Sequence, residues 1–326
     1  MRLLVAGADR VDAGKTTFAT GLLATLPPET LGVKPRAGND LWFDHDDARR
    51  ALSAGRLYGK DAARLVAATG GDERPEAVNP IHRLWQPTPD RTGMLGERGR
   101  TFLADRVTTP TGPEYVVNAT VDLPERVREA LPVADAERVA SVAEFNDAMR
   151  RHHLPALARL AERVRESDPV VVESYADVAD PLRGVDGRGD GGESGDDGGD
   201  DGAGTGGDGT GGNGGGGDGP DRTATPPRRV AYDAVAVVEP RRCRVFDGRR
   251  WQLACDAVGN GGGRLEERVG SVAGHVDPLG TVPLRPLTGE ERDDPAAVAD
   301  AYADAYDALV EAARGGARPD ASAPSE

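Results

Sequence analysis

Lysine is nearly missing from this sequence. Three lysines, Lys15, Lys34 and Lys60, stand against 37 arginines. An ammonium is a compact point charge, whereas a guanidinium is a planar fork, so a lysine kept in such a background indicates a site that needs the compact cation. Because Lys15 and Lys34 fall in the motifs described below, we treat both as candidate functional residues.

Cysteine and long apolar runs are also scarce. Cys243 and Cys255 are the two cysteines, and their separation lacks the spacing of a zinc site or a redox pair. No stretch approaches the length of a membrane span, and Met1 leads directly into a predicted strand without a signal-peptide pattern. We therefore expect a cytoplasmic protein with reduced thiols and no membrane partner.

Positive charge is in deficit, because the formal net charge is -15. Residues 184–220 contribute much of the acidity and hold 20 of the 44 glycines, with almost no apolar residues. Such a segment cannot bury enough surface to offset its ordering entropy, so we expect disorder there. The acidic balance makes a nucleic-acid partner unfavourable. The Asp-rich, lysine-poor composition resembles that of proteins from salt-loving archaea.

The N-terminal stretch carries the first motif. A short apolar run at 3–6 predicts a buried strand, and 18–26 shows one apolar helical face after the sequence AGKTT. This order of strand, glycine-bearing loop, GKT and helix is typical of a phosphate-binding P-loop. Lys15 would reach the β- and γ-phosphates, and the Thr16 hydroxyl would hold Mg²⁺. The predicted nucleotide-binding residues are Asp12, Ala13, Gly14, Lys15, Thr16 and Thr17.

The loop departs from the standard pattern. The standard P-loop has glycine five residues before Gly14, and this chain has Asp9 there, with Gly7 the nearest upstream glycine. The loop is therefore longer or differently shaped, and a chance GKT at a helix start stays an alternative.

Two later strands predict the rest of the site. Residues 170–172 are three valines, which favour a central parallel strand, and Glu173 follows at the carboxyl end, where ligands of open α/β sheets bind. Lys34 follows a predicted strand at 30–33. We predict Lys15, Lys34 and Glu173 as catalytic residues. Hard oxygen ligands suit Mg²⁺, so the predicted metal ligands are Thr16, Glu173, Asp40 and Asp44.

Each of these roles has a plainer alternative. Lys34 would then be a surface lysine at a turn, Glu173 would cap the next loop, and Asp44 would belong to a solvated helix start.

The remaining elements follow from local patterns. Helices are expected at 46–54, 61–68, 125–130 and 135–166, with Pro155 interrupting the last, and a strand at 116–118. Residues 88–115 look turn-rich. Beyond 230 we expect a strand at 234–238, a hairpin of 243–246 with 251–254 around Asp247-Gly248, strands at 269–276 and 281–284, and a closing helix capped by Asp293 or Asp294.

These elements predict an α/β fold, a three-layer α/β/α P-loop NTPase with a mostly parallel central sheet. We expect the N-terminal part of the core at 1–183 and a disordered insertion at 184–229. The C-terminal part of the same domain is expected at 230–316, followed by a disordered tail at 317–326.

Four segments in one order resemble dethiobiotin synthetase and the cobyrinic acid a,c-diamide synthases, a branch of P-loop proteins related to the nitrogenase iron protein and the partition ATPases. Residues 33–38 (VKPRAG) are similar to a KPVASG motif, and 38–44 (GNDLWFD) to a GPDYID run. Residues 77–80 (AVNP) resemble a VNP segment, and 172–177 (VESYAD) a strand ending VEGAGG.

The resemblance implies Mg²⁺-dependent phosphoryl transfer from ATP to a small-molecule acceptor that the sequence does not name. The alternative is an ATPase switch that acts on a protein partner, but the lysine of the usual switch signature is replaced by Arg10. A polynucleotide kinase is a lower alternative, because the surface is acidic. No NKxD-like sequence occurs, so ATP and Mg²⁺ are the expected cofactors. A homodimer stays open.

Overall fold

The computed structural model describes residues 1–8, 14–96, 98–185, 229–259 and 266–316. The predicted insertion at 184–229, apart from its two ends, and the predicted tail at 317–326 lie outside this part of the chain. So do Asp12 and Ala13 of the predicted phosphate loop.

The described residues form an α/β fold with eleven strands and twelve α-helices. The strands are β1 (Arg2–Gly7), β2 (Leu31–Val33), β3 (Arg36–Asp40), β4 (Ile81–Thr92), β5 (Arg98–Thr109), β6 (Gly112–Asn118), β7 (Glu137–Val139), β8 (Val170–Glu173), β9 (Ala234–Glu239), β10 (Arg242–Asp247) and β11 (Gly280–Pro283). The helices are α1 (Lys15–Thr25), α2 (His45–Ser53), α3 (Lys60–Ala68), α4 (Pro75–Val78), α5 (Glu125–Ala130), α6 (Val142–Ala148), α7 (Leu154–Glu166), α8 (Gly248–Gly259), α9 (Val269–Val272), α10 (Gly289–Asp293), α11 (Pro295–Ala301) and α12 (Ala303–Gly316).

Sheet A has six strands in the order β11-β10-β9-β1-β8-β2. The four strands β9, β1, β8 and β2 run parallel, and β10 and β11 add an antiparallel edge. The valines of β8 lie between β1 and β2 and are fully buried, as expected for a strand covered on both faces. The carboxyl ends of β1, β8 and β2 therefore meet at one edge.

Helices cover both faces of sheet A. Alternate residues of β1 point to opposite faces, so Leu3 and Val5 join a cluster with α1 and α12, whereas Leu4 and Ala6 join another with α7 and α8. The closing helix begins as predicted, because the Asp294 side chain accepts a hydrogen bond from the backbone of Ala296. It is divided at Tyr302 into α11 and α12.

A second sheet lies between β2 and β8 in the sequence. Sheet B has the order β3-β4-β5-β6-β7, and its largest part is the antiparallel hairpin of β4 and β5, each 12 residues long. The expectation of one central sheet was therefore incomplete, and the turn-rich interpretation of 88–115 was wrong. Prolines, glycines and register shifts interrupt the alternation of side chains along this hairpin.

Three further expectations need correction. One helix was expected at 135–166, but this range begins with strand β7. The helical part starts only at α6, with Ser141 as its N-cap, and passes through a π-helical turn at Met149–His153 just before Pro155. The predicted strand at 251–254 is part of α8, and residues 269–272 form α9. Asp247 does not start a hairpin turn, because its side chain accepts a hydrogen bond from the backbone of Arg250. The hairpin partner of β10 is β9.

In the described part of the chain no helix is both long enough and apolar enough to cross a membrane.

Candidate functional site

A cleft of about 1500 Å³ lies at the carboxyl edge of sheet A, with sheet B as its other wall. All three lysines line it, Lys15, Lys34 and Lys60. Basic and acidic side chains are nearly equal in number in the cleft lining, so the lining is far less acidic than the chain as a whole.

The described part of the predicted phosphate loop opens into this cleft. Gly14 has φ +76°, a left-handed conformation that glycine adopts without steric cost, and α1 begins at the next residue. Gly14, Lys15, Thr16 and Thr17 all line the cleft, so the structure brings these four predicted residues together. The unpaired backbone N–H groups of a helix N-terminus favour an anion at this position.

Thr16, Lys34 and Glu173 form one contact network. The Thr16 hydroxyl donates to Glu173 Oε1 at 2.7 Å, and Lys34 Nζ donates to the same oxygen at 2.5 Å. The parallel register explains this meeting, because Val5 of β1 lies opposite Glu173, and Val33 of β2 lies opposite Val172. The three residues thus leave neighbouring strand ends, or the helix start between them, toward one point.

Sequence reasoning missed the fourth member of this network. Asp61, in the first turn of α3, accepts a hydrogen bond from Lys34 Nζ at 2.6 Å. From sequence alone Asp61 looked like an ordinary acidic residue at a helix start, where acidic residues are common for local reasons. Its role depends on the packing of α3 beside β2, which leaves no local signal in the sequence.

The charged side chains of the network stabilise one another in their ionised forms. Burial by itself lowers the pKa of Lys34, but Asp61 and Glu173 outweigh burial, and the pKa of Lys34 is raised above its usual value. Burial is the largest single influence on Asp61 and raises its pKa, but the charge and hydrogen bond of Lys34, together with Lys60 and Thr16, outweigh burial, and the pKa of Asp61 is lowered. Lys34 is therefore an ammonium and Asp61 a carboxylate at neutral pH.

Lys15 has a different environment. Burial, together with the nearby Lys34 ammonium, lowers the pKa of Lys15. Its Nζ donates to the carbonyl of Ala176 at 2.7 Å, in the loop that follows β8.

Asn79 shows a structural role for the VNP segment. Asn79 is fully buried, and its Nδ2 donates to the carbonyl of Lys34 at 2.8 Å. The backbone N–H of Lys34 in turn donates to the carbonyl of Val78 at 2.9 Å. The segment therefore fixes the main chain from which the Lys34 ammonium projects.

Asp40 and Asp44 line the cleft but stand outside the Lys34 network. Asp40 accepts hydrogen bonds from the backbone of Trp42 and Phe43, and Asp44 accepts one from the backbone of Asp40. Both carboxylates thus hold the turn between β3 and α2. The contacts give them a structural role, and their metal role stays a prediction.

The donor set around Glu173 fits Mg²⁺. Among the described residues, Glu173 Oε2 is buried without a hydrogen-bond partner, while Oε1 accepts from Thr16 and from Lys34, which also contacts Asp61. The described residues contain no group of three or more His, Cys, Asp and Glu suited to a metal. One hydroxyl and two carboxylates nevertheless suffice for Mg²⁺, because this ion keeps several of its waters.

Comparisons with protein-family models, with curated proteins and with solved structures found no match to this chain.

Proposed function

We propose that this protein is a Mg²⁺-dependent P-loop ATPase that binds ATP at the start of α1 and passes the γ-phosphoryl group to an acceptor in the cleft. One observation carries the proposal: the Thr16 hydroxyl lies 2.7 Å from Glu173 Oε1, with the Lys34 ammonium on the same oxygen. A hydroxyl at the helix start and a buried carboxylate on the neighbouring strand end are the oxygen ligands that a nucleotide-bound Mg²⁺ needs.

The fold we propose is the three-layer P-loop NTPase. It is supported by the central position of β1 in a mostly parallel sheet, by a left-handed glycine before α1, and by helices on both faces of sheet A.

Each residue has a defined part in this proposal. Thr16 and Glu173 would hold Mg²⁺, with Asp61 beside them, and bound Mg²⁺ would neutralise charge that develops on the β- and γ-phosphates. Lys15 leaves the Ala176 carbonyl and contacts the phosphates. Lys34 steadies the transferring phosphoryl group, since a fixed cation at that point stabilises the transition state more than the ground state.

The size of the cleft favours an enzyme over a switch. Small-ligand pockets measure roughly 300–1,000 Å³, and the cleft, at about 1500 Å³, leaves room beside one nucleotide. We therefore favour an acceptor such as a carboxylate or carbamate over hydrolysis that only changes partner binding.

Lys15→Ala tests the nucleotide site. Loss of charged hydrogen bonds to phosphate should weaken ADP binding roughly 10- to 100-fold in calorimetry at high salt, while the circular dichroism spectrum stays native. Arg128→Ala is the control, because Arg128 is exposed and is not part of the cleft lining, and it should change affinity by about twofold at most. Equal ADP affinities for the wild type and Lys15→Ala would refute the P-loop assignment.

A further inference from the structure

Two adjacent aromatic side chains are exposed in the turn between β3 and α2. Trp42 is 66% exposed and Phe43 is 84% exposed, whereas every other described tryptophan and phenylalanine is buried. Aromatic residues make up only 4% of the chain. A chain with so few aromatic side chains gains most by burying them, so an adjacent exposed pair indicates a surface that contacts a partner.

The turn holds both rings outward. The Asp40 carboxylate accepts hydrogen bonds from the backbone of Trp42 at 2.8 Å and of Phe43 at 3.1 Å. Leu41 is buried beneath them, and its backbone donates to the carbonyl of Trp85 at 2.8 Å. The main chain of this turn is therefore fixed before any partner arrives, so association costs little conformational entropy there.

Helix α2, which follows the turn, carries both signs of charge on its exposed face. Asp46, Arg49 and Arg50 are all exposed, and their spacing places them on one side of the helix. The ion pairs of the two arginines within the chain are long, 3.9 Å from Arg49 to Asp46 and 3.7 Å from Arg50 to Asp47. In the described part of the chain neither guanidinium donates a hydrogen bond, so both are available to a partner.

The order of these charges makes α2 complementary to a second α2 that runs antiparallel to it. The acidic residues lie in the first turn and Arg50 lies in the last. A two-fold axis through the middle of α2 would place Asp46 of each copy opposite Arg50 of the other, with the two helix dipoles opposed. The two rings would then lie on the end of the other helix, where the exposed residues 53–55 have short side chains or none.

The exposed rings supply a substantial part of the area that a dimer needs. A buried aromatic side chain removes roughly 150–250 Å² from water, so the four rings of two copies would bury roughly 450–750 Å² at their present exposures. A stable interface buries about 1,200–2,000 Å² in total. The charged side chains of α2 would form the polar rim around this apolar centre.

We propose that Trp42, Phe43 and the exposed face of α2 form a two-fold surface on which a second copy of this chain docks. We call it the α2 surface. The net charge of -15 opposes the approach of two copies, but salt at about 1 M screens charges beyond about 3 Å, so association should strengthen as salt is added. A membrane is a poorer occupant, because an anionic lipid surface repels an acidic chain and α2 offers no continuous apolar face.

The test is sedimentation equilibrium of the full-length protein at high salt over a series of concentrations. We expect a monomer–dimer equilibrium with a dissociation constant on the order of 10 µM. The double variant Trp42→Ser/Phe43→Ser should weaken the dimer about 30-fold or more. Leu253→Ser is the matched control, since Leu253 is a 58% exposed apolar residue on α8, away from the α2 surface, and it should leave the dissociation constant unchanged.

A charge exchange tests the antiparallel arrangement. Asp46→Arg would face Arg50 of the second copy with a like charge and should weaken the dimer roughly 3- to 10-fold. Asp46→Arg combined with Arg50→Asp restores opposite charges and should regain most of the affinity. Because both variants alter the same helix, recovery in the second cannot come from a change in folding.

Tryptophan fluorescence gives an independent measurement. Trp85 and Trp251 are buried, so a shift of emission to shorter wavelength with rising concentration would report burial of Trp42. A monomeric mass at every concentration, a dimer that survives Trp42→Ser/Phe43→Ser, or no recovery in the charge-exchanged variant would each overturn the proposal. So would a monomer that binds phosphatidylglycerol vesicles through the two rings. The proposal does not depend on the ATPase assignment, because every measurement is made without nucleotide.

Discussion

Lys34→Met tests the network at the centre of the site, since it removes the ammonium that contacts both Glu173 and Asp61 and keeps a side chain of similar length. Glu173 is fully buried, whereas the Asp61 side chain is 33% exposed. Removal of one partner from a buried ion pair costs about 3–5 kcal/mol, because the other charge is left uncompensated. At roughly 2–4 °C per kcal/mol for a chain of this size, we expect melting to fall by about 6–20 °C.

Mg²⁺ should partly reverse this loss. Without Lys34, a divalent cation meets no competing ammonium at the oxygens of Glu173 and Asp61. Added MgCl₂ without nucleotide should therefore raise the melting temperature of Lys34→Met more than that of the wild type, as measured by circular dichroism with EDTA as the reference.

Two further variants make the result specific. Lys34→Met combined with Glu173→Gln should be more stable than the sum of the two single losses predicts, because the double variant buries no uncompensated carboxylate. Lys60→Met, at an exposed lysine, should change stability by about 0.5 kcal/mol at most. Equal melting temperatures for Lys34→Met and Lys60→Met, or no difference in the response to Mg²⁺, would refute the reasoning.

Three other substitutions test packing, protonation and turnover. Gly21→Ala should lower the free energy of unfolding by about 1–3 kcal/mol in chemical denaturation, because an added Cβ would lie 2.4 Å from the Tyr306 hydroxyl. Gly315→Ala is the control and should not destabilise the protein, because an added Cβ there meets no atom within 4 Å. Equal free energies of unfolding for the two variants would contradict the packing of α1 against the closing helix. The pKa of His153 is lowered from 6.5 to about 4 in the folded protein, so between these pH values the unfolded chain binds more protons. The free energy of unfolding should therefore fall as the pH drops through that interval, by about 1.4 kcal/mol per pH unit. His153→Gln should flatten this pH dependence of stability, and parallel stability curves for the wild type and the variant would contradict the reasoning. Glu173→Gln should lower ATP turnover strongly and raise the Mg²⁺ requirement, and unchanged turnover would exclude the proposed metal role.

The part of the site that lies on sheet A could be predicted, for a physical reason. Three valines in a row require a strand covered on both faces, and the ends of neighbouring parallel strands meet at one edge. Glu173 and Lys34 each directly follow a predicted strand, and Thr16 lies in the GKT motif. Local sequence signals were therefore sufficient to predict that these three side chains meet. Asp61 required knowledge of how α3 packs, which is a long-range property.

Sheet B was missed because its local signals conflict. The β4–β5 hairpin contains prolines, glycines and register shifts, which hide the alternation that identifies a strand. The pair Asp247-Gly248 was misinterpreted for a related reason. Asp and Gly favour hairpin turns, but Asp also caps helices, and here the Asp247 side chain accepts a hydrogen bond from the backbone of Arg250. In the fold, Gly248 is needed for a different reason than a hairpin turn, because an added Cβ would lie 1.9 Å from the Tyr232 carbonyl.

The positions of the few lysines indicate the location of the cleft. Two lysines were assigned to motifs, yet the structure places all three in the lining of the same cleft. Arginine can replace lysine on a solvated surface, but at Lys34 a planar fork would have to fit between Glu173, Asp61 and Thr16, where Nζ lies 2.5, 2.6 and 3.5 Å from their oxygens. A compact ammonium fits between three such oxygens and can also be displaced from them by a cation. A composition that favours arginine almost everywhere thus has its three exceptions in the lining of one cleft.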